Sequence, residues 1–161
     1  MTPVDVRAYE DADEEAIVAL WDARFVEPRP WNQPRELIRR KVGVARDLFL
    51  VATLDRRIVG AVIAGWDGHR GWLYHLAVAP DVRRRGIGSR LVRAAEALLQ
   101  ARNCPKVNLQ ILTANREVVR FYERLGFQVE ERASMGKRLA VTPATRHAPS
   151  RRPACRATAP S

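Results

Sequence analysis

At 161 residues and 18.2 kDa the chain has the size of one domain, able to bury roughly 70% of its unfolded surface without disulfide or metal staples. A hydrophobic share of 47% against 29% charged residues excludes a wholly disordered, collagen-like or disulfide-knot protein. The formal charge of +10 raises nucleic acid as a partner, but Val141 to Ser161 carries four arginines and no acids, which leaves 24 basic and 18 acidic groups, a net +6, for the rest and argues against that reading.

Val4 and Val6 alternate with polar residues as a short strand, after which Asp11 or Asp13 caps a helix with Ile17, Leu20 and Trp21 on one face. Three prolines make Val26 to Pro34 irregular, and Pro34 opens a second helix through Leu37 and Ile38 towards Val44. Leu48 to Leu54 and Ile58 to Trp66 are apolar, β-branched runs parted by Asp55, Arg56 and Arg57, a hairpin pattern. The turn Asp67-Gly68-His69-Arg70-Gly71 leads into a third strand, Trp72 to Val78. Strict alternation there places Trp72, Tyr74, Leu76 and Val78 on one face and Leu73, His75 and Ala77 on the other, so Tyr74 and His75 are expected to be exclusive alternatives in any cleft. A long periodic helix follows, with Leu91, Val92, Ala95, Leu98 and Leu99 facing inward. Lys106 to Leu112 predicts a strand, Glu117 to Leu125 a helix stopped by Gly126, and Phe127 to Val141 a final pair of short strands.

The longest apolar uncharged stretch, Ile58 to Trp66, is less than half of the roughly 20 residues that a membrane-spanning helix needs. The acidic start, MTPVDVRAYEDADEE, lacks the basic and apolar regions of a signal peptide. No membrane partner and a cytoplasmic location are therefore expected. Cys104 and Cys155 are far apart and read as free thiols, and His69, His75 and His147 share no ligand-spaced cluster, so no metal is expected. Residues 141–161 mix Pro, Ala, Thr, Ser and Arg without an apolar period and read as a disordered basic tail beyond a domain spanning 1–140.

Between the third strand and the long helix lies Arg83-Arg84-Arg85-Gly86-Ile87-Gly88. A helix start offers unpaired N–H groups and roughly half a positive charge, so a glycine-bearing loop entering it is an anion site. Three arginines beside two glycines suit a ligand with several phosphates, as coenzyme A has. No Gly-Lys-Ser or Gly-Lys-Thr follows, and Leu91 stands where a dinucleotide fingerprint needs its third glycine, so neither nucleotide motif fits.

The strand Leu76-Ala77-Val78, the loop Arg83 to Gly88 and the segment Asn115 to Phe127 (NREVVRFYERLGF) together resemble the GNAT superfamily of acetyl-coenzyme A-dependent N-acetyltransferases, over residues 4 to 140. Arg29-Pro30-Trp31-Asn32, Asp67 to Gly71, Cys104-Pro105-Lys106 and Met135 to Leu139 look like its bacterial YpeA-type branch. The resemblance implies an α/β fold with a mixed, mostly antiparallel sheet of six to seven strands flanked by about four helices, strands 4 and 5 splayed to admit acetyl-CoA. It implies that the main chain of Arg83, Arg84, Arg85, Gly86, Ile87, Gly88 and Ser89 holds the pyrophosphate. Leu76, Ala77 and Val78 would line the pantetheine arm, Asn115 would touch that arm, and Tyr122 would act as the acid near the thioester sulfur. Val118 departs from the small residue that many relatives carry. Pairing through the last strands makes a homodimer the expectation.

Acetyl transfer to an amine needs a neutral amine, a stabilised oxyanion and a proton for the thiolate. A phenol is protonated at neutral pH, which suits Tyr122. Glu27, His75 and Asp67 are alternative bases, working through a water, and Trp31 with Trp66 is a candidate aromatic wall for the acceptor. The expected activity is acetyl transfer from acetyl-CoA to a primary amine by direct attack, with antibiotic amines, polyamines, amino acids, protein N-termini and lysine side chains all admissible. The alternative is an acyl-CoA-binding sensor without turnover, which has no need of Tyr122.

Overall fold

Two β-branched runs build the centre of the sheet. In the computed structural model, which describes residues 3–25 and 33–140, they form β2 (Phe49–Leu54) and β3 (Arg57–Trp66), both largely buried because each face of the sheet carries helices. Leu54 pairs with Arg57, so the turn is only Asp55-Arg56, both at positive φ (50° and 62°). A two-residue hairpin turn of the favoured hand demands this even without glycine. Ahead of them β1 (Asp5–Ala8) pairs with β2, and beyond them β4 (Gly71–Val78) pairs with β3, all antiparallel. β5 (Val107–Asn108) closes the order β1-β2-β3-β4-β5 and runs parallel to β4.

Helices cover both faces. α1 (Glu14–Arg24) and α2 (Pro34–Ala45) pack with one face, where Trp21 stacks on Phe49, and Phe49 on Tyr9. Arg35 of α2 bridges Glu14 and Glu15 of α1, and Lys41 donates to the Ala64 carbonyl of β3 at 2.5 Å. A three-residue turn of 3₁₀ helix, Asp11–Asp13, precedes α1. Asp13 there accepts the Glu10 N–H and a two-pronged hydrogen bond from Arg7, at 2.7 and 2.8 Å. Burial pushes the Asp13 carboxyl up, but Arg7 and the Glu10 N–H outweigh it and hold it below its ordinary range. α3 (Ile87–Gln100) covers the opposite face, with Ile87, Leu91, Val92, Ala95 and Leu99 buried. A Cβ on Gly60 would lie 2.9 Å from Leu91 and 3.2 Å from Ile87. Glycine at that point lets the first turn of α3 settle directly on β3.

The sheet is smaller than expected, with five strands among the described residues instead of six to seven. The fifth is two residues long in place of Lys106 to Leu112: Leu109 and Ile111 still pack on the core, but pairing with β4 ends at Trp72–Asn108. α4 (Arg116–Glu123) and the turn to Gly126 follow. The chain divides into two units after Gln128. In the second, the described residues 129–140 hold no helix or strand, so the expected last pair of strands is absent there. Val129, Met135 and Leu139 are exposed, and alternation with no buried face does not hold a ladder together. Within this unit Arg132 donates to Glu130 at 3.2 Å. Among the described residues no helix is long and apolar enough to cross a membrane, and no group of His, Cys, Asp and Glu could hold a metal ion.

Candidate active site

The site begins with a fault in β4. Ile63 pairs with Tyr74 and Ala61 with Ala77, so the single residue Val62 faces both His75 and Leu76, and His75 takes φ 52°. This bulge resets the alternation of the strand. Tyr74 lies across from Ile63, which in turn pairs with Phe49 on the α1 face. The His75 ring sits on that same face, 5.3 Å from the Trp21 ring and 5.2 Å from Phe25. Tyr74 and His75 are therefore not exclusive alternatives. Ala77 shares their face, and Val78, opposite Gly60, points towards α3.

The bulge also decides which peptide groups are free. The Ala79 N–H donates to the Val59 carbonyl at 2.8 Å, and the Ala77 carbonyl lies 3.1 Å from where a Gly60 Cβ would stand. Alternation then turns the N–H and C=O groups of Leu76 and Val78 away from β3. On that outer side β5 pairs only at Gly71 and Trp72, so no described strand meets this edge of β4. The two strands part as expected, leaving an edge with hydrogen-bonding capacity.

Beside that edge stands the start of α3. Gly86 caps the helix at φ 75°, a conformation that favours glycine, and its carbonyl takes the Arg90 N–H at 3.0 Å. The N–H groups of Ile87, Gly88 and Ser89 have no acceptor within the helix. Arg83, Arg84 and Arg85 are exposed around it, and Arg84 is also at positive φ (62°). The two glycines have different reasons. A Cβ on Gly86 would meet nothing within 4 Å, whereas one on Gly88 would lie 3.2 Å from the Phe121 ring and 3.7 Å from Val78. Gly88 is thus a packing glycine joining β4, α3 and α4. Ile87 is 1% exposed, which leaves only its main chain for a ligand.

α4 supplies Tyr122, buried with its ring edge-on to Phe121 and Phe127 at 4.9 and 5.3 Å. Burial pushes its phenol up to about 12. No described residue hydrogen-bonds its hydroxyl. Asn115 is the N-cap of α4, its side-chain oxygen accepting the Val118 N–H at 3.4 Å. Asparagine just ahead of a helical period is the local signal for that role. Val118 itself is half-buried against the core.

The candidate bases separate cleanly. Asp67 is engaged in its own turn, accepting the N–H groups of Arg70 and His69, each at 2.7 Å. Those bonds hold its carboxyl below the usual range, so it is a poor base. The Asp-Gly pair at the turn was the available signal. His75 is partly buried among aromatic rings, and burial lowers its pKa, leaving a neutral imidazole on the α1 face. Glu27 and Trp31 lie outside the described residues. Trp66 alternates onto the face of Gly60 and α3, away from Tyr74. On the face that Tyr74 shares with His75, Trp72 and Tyr74 stack with centroids 6.2 Å apart.

The family model described as Acetyltransferase (GNAT) family matches residues 14–127. An acetyltransferase of Pectobacterium atrosepticum is 43% identical over 136 residues, covering 84% of this chain and 96% of its own length. Among solved structures, Ard1 from Thermoplasma volcanium aligns with a TM-score of 0.71 at 26% identity, over 79% of this chain and 84% of its own. AAC(6')-Iy, solved in complex with the bisubstrate analog CoA-S-monomethyl-acetylneamine, aligns with a TM-score of 0.73 over 86% of this chain and 100% of its own; at 17% identity that likeness is one of fold. The chain belongs to the acetyltransferase (GNAT) family and is an acyltransferase.

Proposed function

We propose that this enzyme moves an acetyl group from acetyl-CoA to a primary amine by direct attack of the amine on the thioester. One observation carries the reading: Gly88 stands between Val78 of β4 and Phe121 of α4, which brings the unmet N–H groups of α3, the free edge of β4 and the helix of Tyr122 to one place. Ile87, Gly88 and Ser89 offer main-chain N–H groups to the diphosphate, with Arg83, Arg84 and Arg85 supplying charge. The outward peptide groups of Leu76 and Val78 pair with the amides of the pantetheine arm as an added strand would. A linear arm that runs from Val78 to Leu76 ends at the bulge, where the chain crosses to the face of His75 and Tyr74.

There the amine nitrogen bonds to the thioester carbon, the carbon–sulfur bond breaks, and the amine proton passes to His75, directly or through a water. His75 suits a base because burial keeps it neutral at neutral pH. Tyr122 faces the leaving sulfur as a hydrogen-bond donor. Its phenol at about 12 lies well above a thiol's reference value of about 8.5, so full proton transfer to the thiolate is uphill on the order of 5 kcal/mol. The hydroxyl therefore stabilises the departing charge, and the proton that completes the thiol comes from solvent. Thiol release from acetyl-CoA, screened against a panel of amines, tests the reading. Turnover with at least one amine is expected, together with calorimetric heat from acetyl-CoA alone; neither heat nor thermal stabilisation by the donor would remove the basis of the proposal.

A further inference from the structure

Arg116, Arg120 and Arg124 recur every fourth residue along α4 and its last turn, all exposed. At about 100° per residue they form a stripe on the flank beside Phe121, away from the buried Tyr122 and Val118. Phe121 is the residue packed on Gly88, so this flank borders the turn that carries Arg83, Arg84 and Arg85. None of these six arginines has a carboxylate partner among the described residues. Several arginines elsewhere pair with carboxylates, Arg7 with Asp13, Arg35 with Glu14 and Glu15, Arg46 with Asp11, and Arg102 with Asp47, while Arg70 and Arg90 donate to main-chain carbonyls. Asp81, just ahead of the turn, is bonded to Arg57 at 2.5 Å and feels the charge of Arg85 only as a weaker, longer-range influence. Glu117 and Glu123 share α4 with the stripe and form no ion pair with it. The cationic groups on this flank thus form two sets without close ion pairs, one at the turn and one along α4, a pattern that matches a ligand with two separate phosphorylated ends.

Resting on acetyl-CoA as the donor, we propose that the turn takes the diphosphate and that the Arg116, Arg120 and Arg124 stripe takes the further phosphate that coenzyme A carries on its ribose, so that the enzyme selects the phosphorylated donor over its dephospho form. Calorimetric titration of the full chain with acetyl-CoA and with acetyl-3′-dephospho-CoA tests it, for the wild type, for a triple variant (Arg116→Ala, Arg120→Ala, Arg124→Ala) and for the matching lysine variant. The wild type is expected to bind acetyl-CoA about tenfold more tightly than the dephospho form, with a preference that shrinks at high salt. The alanine variant brings the two affinities within about twofold, mainly by weakening acetyl-CoA, and the lysine variant restores much of the gap. Because the three positions are exposed, a folding defect would lower both affinities together, not their ratio. An alanine variant that keeps the full preference, or a wild type without one, overturns the assignment. So does loss of duplex DNA binding in the alanine variant with the donor ratio intact. A wild type that binds neither donor is a distinct result, and removes the acetyl-CoA reading itself.

Discussion

The two halves of β4 share one strand and differ in what meets them. From Gly71 to Tyr74 the strand follows β3 in register and is held at its start by β5. From His75 onward a left-handed residue shifts the register, β5 is gone, and peptide groups face a gap. The first half is the closed one, and the second is where the proposed reaction takes place. Changes in the closed half should therefore move unfolding curves, and changes in the open half should move rates.

The largest effect is expected at His75. Replacement by alanine should lower kcat/KM on the order of a hundredfold or more and remove the acid limb of the pH profile, which in the wild type lies below pH 6.5 because burial lowers this histidine. A limb that persists in the variant would place the base elsewhere. The same group has a stability signature. Its folded pKa is below its unfolded value, so as pH falls below about 6.5 the unfolded chain takes up the proton first and stability declines until the folded pKa is passed. Urea midpoints at pH 7.5 and 5.5 should show a drop that His75→Gln reduces.

Tyr122→Phe comes next. Loss of a hydrogen bond to a charged leaving group predicts a fall in kcat of about ten- to a hundredfold, with acetyl-CoA affinity within about threefold. An unchanged kcat would exclude the hydroxyl from the reaction, and so would equal losses in binding and turnover. In the closed half, a Cβ on Gly71 would lie 2.7 Å from the Cys104 sulfur and 3.1 Å from Leu99. Gly71→Ala should cost about 1–3 kcal/mol of unfolding free energy and leave kcat of the folded fraction near wild type. Adding Cys104→Ala, which removes the nearest obstacle, should recover part of that loss; no recovery would mean that the strain lies elsewhere.

A smaller effect is expected at the cap of α3. Gly86→Ala has space for its methyl group but must hold φ 75°, a penalty of about 1 kcal/mol. A larger loss, measured by denaturant titration, would mean that the turn rearranges. Least of all, Arg57→Ala removes an exposed ion pair to Asp81, which solvent screens, and should leave the denaturant midpoint unchanged; a measurable shift would show that the pair fixes the approach to the phosphate turn.

Much of this architecture is written locally. The apolar runs of β2 and β3, the proline that opens α2, the periodic face of α3 and the glycine at its cap follow from residue spacing, because burial on one face and backbone handedness act over a few residues. Of the motif segments Leu76 to Val78 and Arg83 to Ser89, Val78 and Gly88 come close together in the structure. Spacing was less informative for Asp67 and Asn115, whose side chains close a turn and cap a helix.

Tertiary contacts decided the rest. An extra residue opposite Val62 put Tyr74 and His75 on one face, and no rule of alternation shows where a strand will break it, since a bulge depends on what packs on both sides. Trp21 and Phe25, some 50 residues earlier in the chain, supply the surroundings that lower His75. Gly88 has a packing reason that its spacing does not show, because Phe121 arrives from a helix more than 30 residues later. Local sequence set the elements and the charged turn; only folding could set a pKa, a face and an unpaired edge, because each is a property of neighbours brought together from distant parts of the chain.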